Sequence, residues 1–226
     1  MSINDELIAV TAAARLLGVS ERRVRQMAGS GDLTQPARGL VDRASLQRHL
    51  ATRQGTRTRV WSTETAWAGV ALLAGLDADW LGTAQRSRLR RSLRATTAQA
   101  LVSRARNRAS VHRYAGHAST AARLRTEIVV VGRAGQLGLV GEAGQLDGYV
   151  ATDSLAALVT RHALTEDSRG QFALRATDFD LATIAAIAAA GSVPVLAALD
   201  CAESLDARER GVALAALAGA LARFHG

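Results

Sequence analysis

Apolar residues recur at helical spacing near the start of the chain. Thr11 offers a hydroxyl cap to AAARLL, in which Leu16 and Leu17 supply core positions before a turn at Gly18. Ser20 caps a second segment, ERRVRQMA, that sets Val24 and Met27 three residues apart on one face. Glu21, Arg22, Arg23, Arg25 and Gln26 are left on or near the other. GSGDLTQPARGLVDRASLQRHL then predicts a short strand at Leu33 and Thr34, a tip from Pro36 to Gly39, a return strand at Leu40 and Val41, and a helix from Ala44 to Leu50. Two short helices, a hairpin and a closing helix are the parts of a winged helix-turn-helix.

The polar run ATRQGTRTR reads as a linker, and Trp61 opens the next unit. Ser62 precedes a helix with Trp67, Val70 and Leu73 at spacing three and Gly75 near its end. Thr83 and Thr97 predict the starts of two more, with Leu89 and Leu93 serving the first and Leu101 and Val102 the second. Strands are expected at Ser110 to Tyr114, in EIVVVG, and at Gln171 to Arg175. Ser119 is expected to cap TAARLR, and Thr152 or Asp153 to cap SLAALVTRHAL. Pro194 and Asp206 mark the starts of two closing helices, the second carrying the stripe Leu214, Leu217, Leu221 and Phe224. The predicted fold is α+β and mostly helical: a winged domain over residues 1–52, a linker over 53–60, and a unit over 61–226 that runs from basic helices into a small, mainly antiparallel sheet.

Composition sharpens this picture through charge. All 28 cations are arginine, against 20 acids, for a net charge of +8. Residues 1–60 and 61–127 are strongly basic, and residues 128–226 carry a net negative charge. A front half that faces a polyanion is the expectation. The arginines of the middle, Arg86, Arg88, Arg90, Arg91 and Arg94, are candidate additional phosphate contacts, with solvation of a helix as the plain alternative. One cysteine, Cys201, is expected as a buried small hydrophobe and forms no internal disulfide. With an acidic start and no uninterrupted apolar span, a cytoplasmic protein with no membrane partner is the expectation.

The block VTAAARLLGVSERRVRQMAGSGDL resembles the winged helix-turn-helix of the MerR and excisionase type over residues 8–50, departing at Arg23, where that family often has Thr. The resemblance implies that the second helix reads double-stranded DNA. Arg22, Arg23 and Gln26 are then base-contact candidates, because arginine can make two hydrogen bonds to guanine and glutamine two to adenine. Ser20, Arg25, Arg38 and Arg43 are phosphate candidates. Residues 61–224 resemble AbiEi-type antitoxins of type IV toxin systems through the Trp61 and Trp67 helix, SRLRRSLR, RNRASVHRYAGHAS, DGYV, FALRA and ALDCAESLDARERG. That resemblance implies a regulator of its own operon that neutralises a nucleotidyltransferase-like toxin. A homodimer is expected, since paired readers bind half-sites one turn apart. The alternatives are an excisionase-like or phage-type DNA architecture factor, and a ligand-sensing transcription factor.

No enzyme motif is found. The glycines of GRAGQLGLVGEAGQLDGYV have neither dinucleotide nor P-loop spacing and predict hairpins. His49, His112, His117, His162 and His225 are scattered, so no metal site, cofactor or catalytic residue is expected. Asp178 and Asp180, and Asp200, Glu203 and Asp206, are read as caps and solvated carboxylates.

Overall fold

The computed structural model describes residues 7–29, 32–53, 59–131, 137–139, 144–190, 194–204 and 206–225. At the front, β1 (Leu7–Ala9) leads without a break into α1 (Val10–Leu17), which buries Val10, Ala13, Ala14 and Leu17. Gly18, at φ 65°, turns the chain into α2 (Glu21–Gly29), where Val24 and Met27 are buried as the spacing predicts. Thr11 is not the cap. The helix begins one residue earlier, at Val10, whose N–H is taken by the Gly39 carbonyl at 2.9 Å. Leu16 is also misassigned to the core: it stands a third of a turn from the buried stripe and is 56% exposed.

The expected hairpin between Leu33 and Val41 is corrected. β2 (Leu40–Asp42) pairs antiparallel with β1 instead, Ile8 opposite Val41, and Leu33 is a buried core residue with no strand around it. What remains of the hairpin is the Asp42 N–H to Thr34 carbonyl bond of 2.9 Å and a bridge between Ala37 and Leu40. Thr34 is drawn instead toward α3 (Arg43–Arg53), its N–H donating to Ser45 Oγ at 3.0 Å. Residues 54–58 of the expected linker lie outside the described residues.

Helices α4 (Thr63–Leu73), α5 (Thr83–Arg94) and α6 (Ala98–Ala105) build the middle. Ser62 and Thr97 cap α4 and α6 as expected. Thr83 does not cap α5; it is the first helical residue, and the Gln85 side chain accepts the Gly82 N–H instead. α4 is buried from Ala66 through Leu72, and its Trp67 is fully enclosed.

The second sheet has five strands in the order β4 (Val129–Val130), β5 (Leu146–Ala151), β7 (Phe172–Thr177), β3 (Ser110–Ala115), β6 (Thr165–Glu166). Three of its pairings are antiparallel, and β5 with β7 is parallel, so the sheet is mixed. A parallel pair needs a crossover, here supplied by α8 (Leu155–Arg161) and β6. α8 follows a 3-10 turn over Thr152–Ser154, and neither Thr152 nor Asp153 caps it. Ser119 gives no side-chain cap to α7 (Thr120–Leu124), because its hydroxyl is bonded to His117. EIVVVG, the most strand-like run, yields only the two-residue edge strand β4. Of the run expected to form hairpins, residues 132–136 and 140–143 lie outside the described residues, and its end forms β5, antiparallel to β4.

Alternation along β7 explains how the sheet is covered. Phe172, Leu174 and Ala176 join Tyr114, Leu146 and Val150 beneath α7 and α8. Ala173, Arg175 and Thr177 face the opposite side, toward α4, α9 (Leu181–Ala189), α10 (Val195–Cys201) and α11 (Ala207–His225). Asp180 and Asp206 cap α9 and α11, as the caps read from sequence require. Among the described residues no helix is long and apolar enough to cross a membrane.

Two local features carry testable consequences. A Cβ on Gly170 would stand 2.2 Å from the Tyr114 carbonyl carbon and oxygen, which are backbone and cannot swing away. Gly170→Ala should therefore destabilise the protein by about 2 kcal/mol or more in urea unfolding. Glu127 accepts from His162 Nε2 at 2.7 Å and pairs with Arg161, which ties α8 to the segment before β4. The His162 hydrogen bond, with Arg161, holds the Glu127 carboxyl below its ordinary value. Its stabilising effect is then complete above the unfolded-state pKa and is lost as pH falls through the lower folded value. The urea-midpoint gap between wild type and Glu127→Gln should be constant near neutrality and close on acidification below the ordinary glutamate range.

Candidate nucleic-acid interface and a buried charge cluster

On α2, the buried pair Val24 and Met27 turns Arg22, Arg23, Arg25 and Gln26 outward, and all four are exposed. Arg23 donates to Gln26 Oε1 at 2.8 Å, and Arg25 pairs with Glu21 at 2.9 Å. Exposed links of this kind are worth about 0 to 1 kcal/mol, so a phosphate or base edge can replace them at little cost. No acid among the described residues pairs with Arg22. Ser20 is the α2 cap, its Oγ accepting the Arg23 N–H at 3.3 Å, so its first role is local.

Arg38 is exposed in the turn before β2, and Arg43 is exposed at the first residue of α3. They are presented by elements other than α2, which is how contacts to a backbone differ from contacts made by a reading helix. Arg15, exposed in the last turn of α1, was not singled out in the sequence. On α5 the five candidates divide. Arg86 pairs with Asp79 and Arg90 lies 3.5 Å from Asp77, whereas Arg88, Arg91 and Arg94 are exposed and, among the described residues, have no acidic partner.

The densest chemistry lies where the sequence reading placed only caps and solvated acids. Asp200 is fully buried on α10, and this corrects its assignment as a solvated carboxylate. Its Oδ1 receives Arg108 Nη2 at 2.6 Å and the Tyr149 hydroxyl at 2.8 Å. Arg108, in the turn before β3, also donates through Nε to the Tyr149 hydroxyl at 3.1 Å and pairs with Glu203 at 3.0 Å. Arg175, on β7, donates Nε and Nη2 to the two oxygens of Asp147 at 2.8 and 3.2 Å. Its Nη1 reaches Glu203 at 2.7 Å and lies 3.4 Å from Asp200 Oδ1, and Nη2 lies 3.4 Å from the Asp200 carbonyl. Four hydrogen bonds and a further ion pair thus engage all three of its nitrogens.

Burial pushes the Tyr149 hydroxyl well above its ordinary value, against the pull of Arg108, so it stays protonated and donates to Asp200. Burial also opposes the charges of Arg108 and Arg175, but the surrounding carboxylates outweigh it and raise both. For Glu203 burial works upward and the two guanidiniums prevail, leaving the carboxyl below the ordinary range. Trp67 seals one side, its Nε1 donating to the Arg108 carbonyl at 3.0 Å and its ring meeting Tyr149 edge-on at 5.1 Å. The arrangement is a cross-link between β5, β7, α10 and the turn before β3.

A cleft of about 90 Å³ opens beside this cluster, lined by Asp32, Thr34, Ser45 and His49 from the front of the chain and by Arg106, Arg113, Arg175 and Glu203 among the rest. Among the described residues no group of three or more His, Cys, Asp or Glu is placed to hold a metal ion. Cys201 is buried, as its apolar neighbours predict.

Removing one member of a buried pair strands the other, at a cost of about 3 to 5 kcal/mol. Asp200→Ala should lower unfolding stability by that amount, and Glu203→Gln, at a side chain 18% exposed, by clearly less. Chemical denaturation of both variants at neutral pH checks the order.

Comparison with protein-family models, with curated proteins and with solved structures finds no match to this chain.

Proposed function

We propose that the protein is a sequence-selective, double-stranded DNA-binding regulator whose reading element is α2. The observation that carries this is the outward set Arg22, Arg23, Arg25 and Gln26 on a nine-residue helix held from behind by Val24 and Met27. Two donors able to grip guanine and one amide able to grip adenine stand together there, in a helix short enough to enter a major groove. Gly18 at φ 65° makes the sharp step from α1 to α2 that a helix-turn-helix requires. The short β1·β2 ribbon takes the place of the expected wing, so Arg38 is a flanking backbone contact in this reading.

The target is DNA upstream of its own gene, and the protein partner of the rear unit is a cognate toxin, as the resemblance to AbiEi-type antitoxins implies. Two copies in a dimer would set their α2 helices on half-sites about 34 Å apart.

Fluorescence anisotropy with upstream and scrambled duplexes tests the reading on full-length protein. Arg22→Ala and Arg23→Ala should each cost about 1 to 3 kcal/mol on particular base pairs, with a smaller loss on scrambled DNA. Arg38→Ala should weaken both duplexes equally. Equal losses for all three variants on both duplexes, or no preference for any duplex by the wild type, would sink α2 as the reader.

A further inference from the structure

Helix α5 has the sequence TAQRSRLRRSLR and holds no acid. Leu89 and Leu93 fix its buried side. At about 100° per residue, Arg91 points away from that side, and Arg88 and Arg94 lie about 60° to its left and right. Ala84 and Ser87 occupy the rest of this outer face, and both are exposed. Arg86 and Arg90, four residues apart, project on one flank, where Asp79 and Asp77 from the loop before the helix pair with them. The nearby acids are thus spent on that flank, and the outer face keeps three uncompensated guanidiniums with only small residues between them.

From this we infer that the outer face of α5 is a second nucleic-acid contact, one that grips the phosphate backbone of a duplex without reading its bases. Arg88 to Arg94 spans about 9 Å at 1.5 Å per residue, and each strand of a duplex presents a phosphate for about every 3.4 Å of its axis. With the added reach of their side chains, the three arginines can each take a phosphate. The face has no aromatic ring on which single-stranded bases could stack. It also lacks the apolar anchor that the core of a protein interface needs, which disfavours an acidic protein as its occupant. This inference presupposes a nucleic-acid partner but does not require α2 to be its reader.

The test is a salt series from 50 to 200 mM by fluorescence anisotropy, on upstream and scrambled duplexes, with the full chain and its Arg88→Gln/Arg91→Gln/Arg94→Gln variant. Each phosphate contact contributes about 0.9 to the slope of log affinity against log salt, so three contacts make the loss over this fourfold range about 40-fold larger. The variant should lose that factor equally on both duplexes and keep whatever sequence preference the wild type has. Because the three side chains are exposed, circular dichroism and melting should be unchanged. Arg86→Gln/Arg90→Gln serves as the charge control and should change the slope by less than half as much. An unchanged slope in the triple variant overturns the inference, as does an equal effect of the control pair. A wild type without sequence preference whose slope still drops in the triple variant would overturn α2 as reader and leave the α5 contact standing.

Discussion

The rear of the protein depends on a buried charge cluster. Arg108, Arg175, Asp147 and Asp200 are each 5% exposed or less. Taking such ions out of water costs several kcal/mol apiece, and the cost is met only when geometry is close and nearly every donor and acceptor is used. The structure meets that condition by bringing together four segments far apart in sequence: the turn before β3, β5, β7, and α10 with Glu203 just beyond it. The cluster therefore fixes the parallel pairing of β5 with β7 and the seat of α10 upon them. An apolar core would tolerate small slips between these elements. A set of ion pairs with distances near 2.6 to 3.2 Å does not.

Much of this architecture is written in local patterns. Ser62, Thr97, Asp180 and Asp206 cap the helices they precede, and Val24 and Met27 lie inward as their spacing requires. The errors come where tertiary pairing overrides local preference. Leu40 and Val41 form a strand, but their partner is the segment before α1 rather than the nearer Leu33. EIVVVG has the strongest strand composition, yet it sits at the sheet edge, where one neighbour supports only two residues. The buried cluster escaped a reading by motifs because its members are about 30 to 90 positions apart, and no spacing rule covers such distances.

A signal was nevertheless present. Asp200 is the lone charge in VLAALDC, a helix with every residue buried, and a lone carboxylate there must find a cation. Arg175 lies in FALRAT, where both faces of the strand are apolar or small, and the same logic demands an acid. The segments RNRAS, DGYV, FALRA and ALDCAES each contribute at least one member of this cluster. Their shared role in this chain is to hold the sheet and helices together.

Arginine is the only cation this chain uses besides histidine, and three distinct roles follow from how many of its five donors are occupied. Arg108 and Arg175 are enclosed by acceptors and act inside the fold. Arg86 and Arg90 are tied to nearby aspartates and brace one flank of α5. Arg22, Arg88, Arg91 and Arg94 are exposed and without acids among the described residues. Net charge alone does not make this distinction, since a basic segment whose guanidiniums were all saturated would offer a polyanion nothing. Part of the surplus of the front and middle stands on two helices, α2 and α5. On α2 an amide stands among the cations, giving the means to tell one base from another; on α5 alanine and serine stand among them, giving only access to charge. The difference between reading a sequence and gripping a backbone lies in those neighbours.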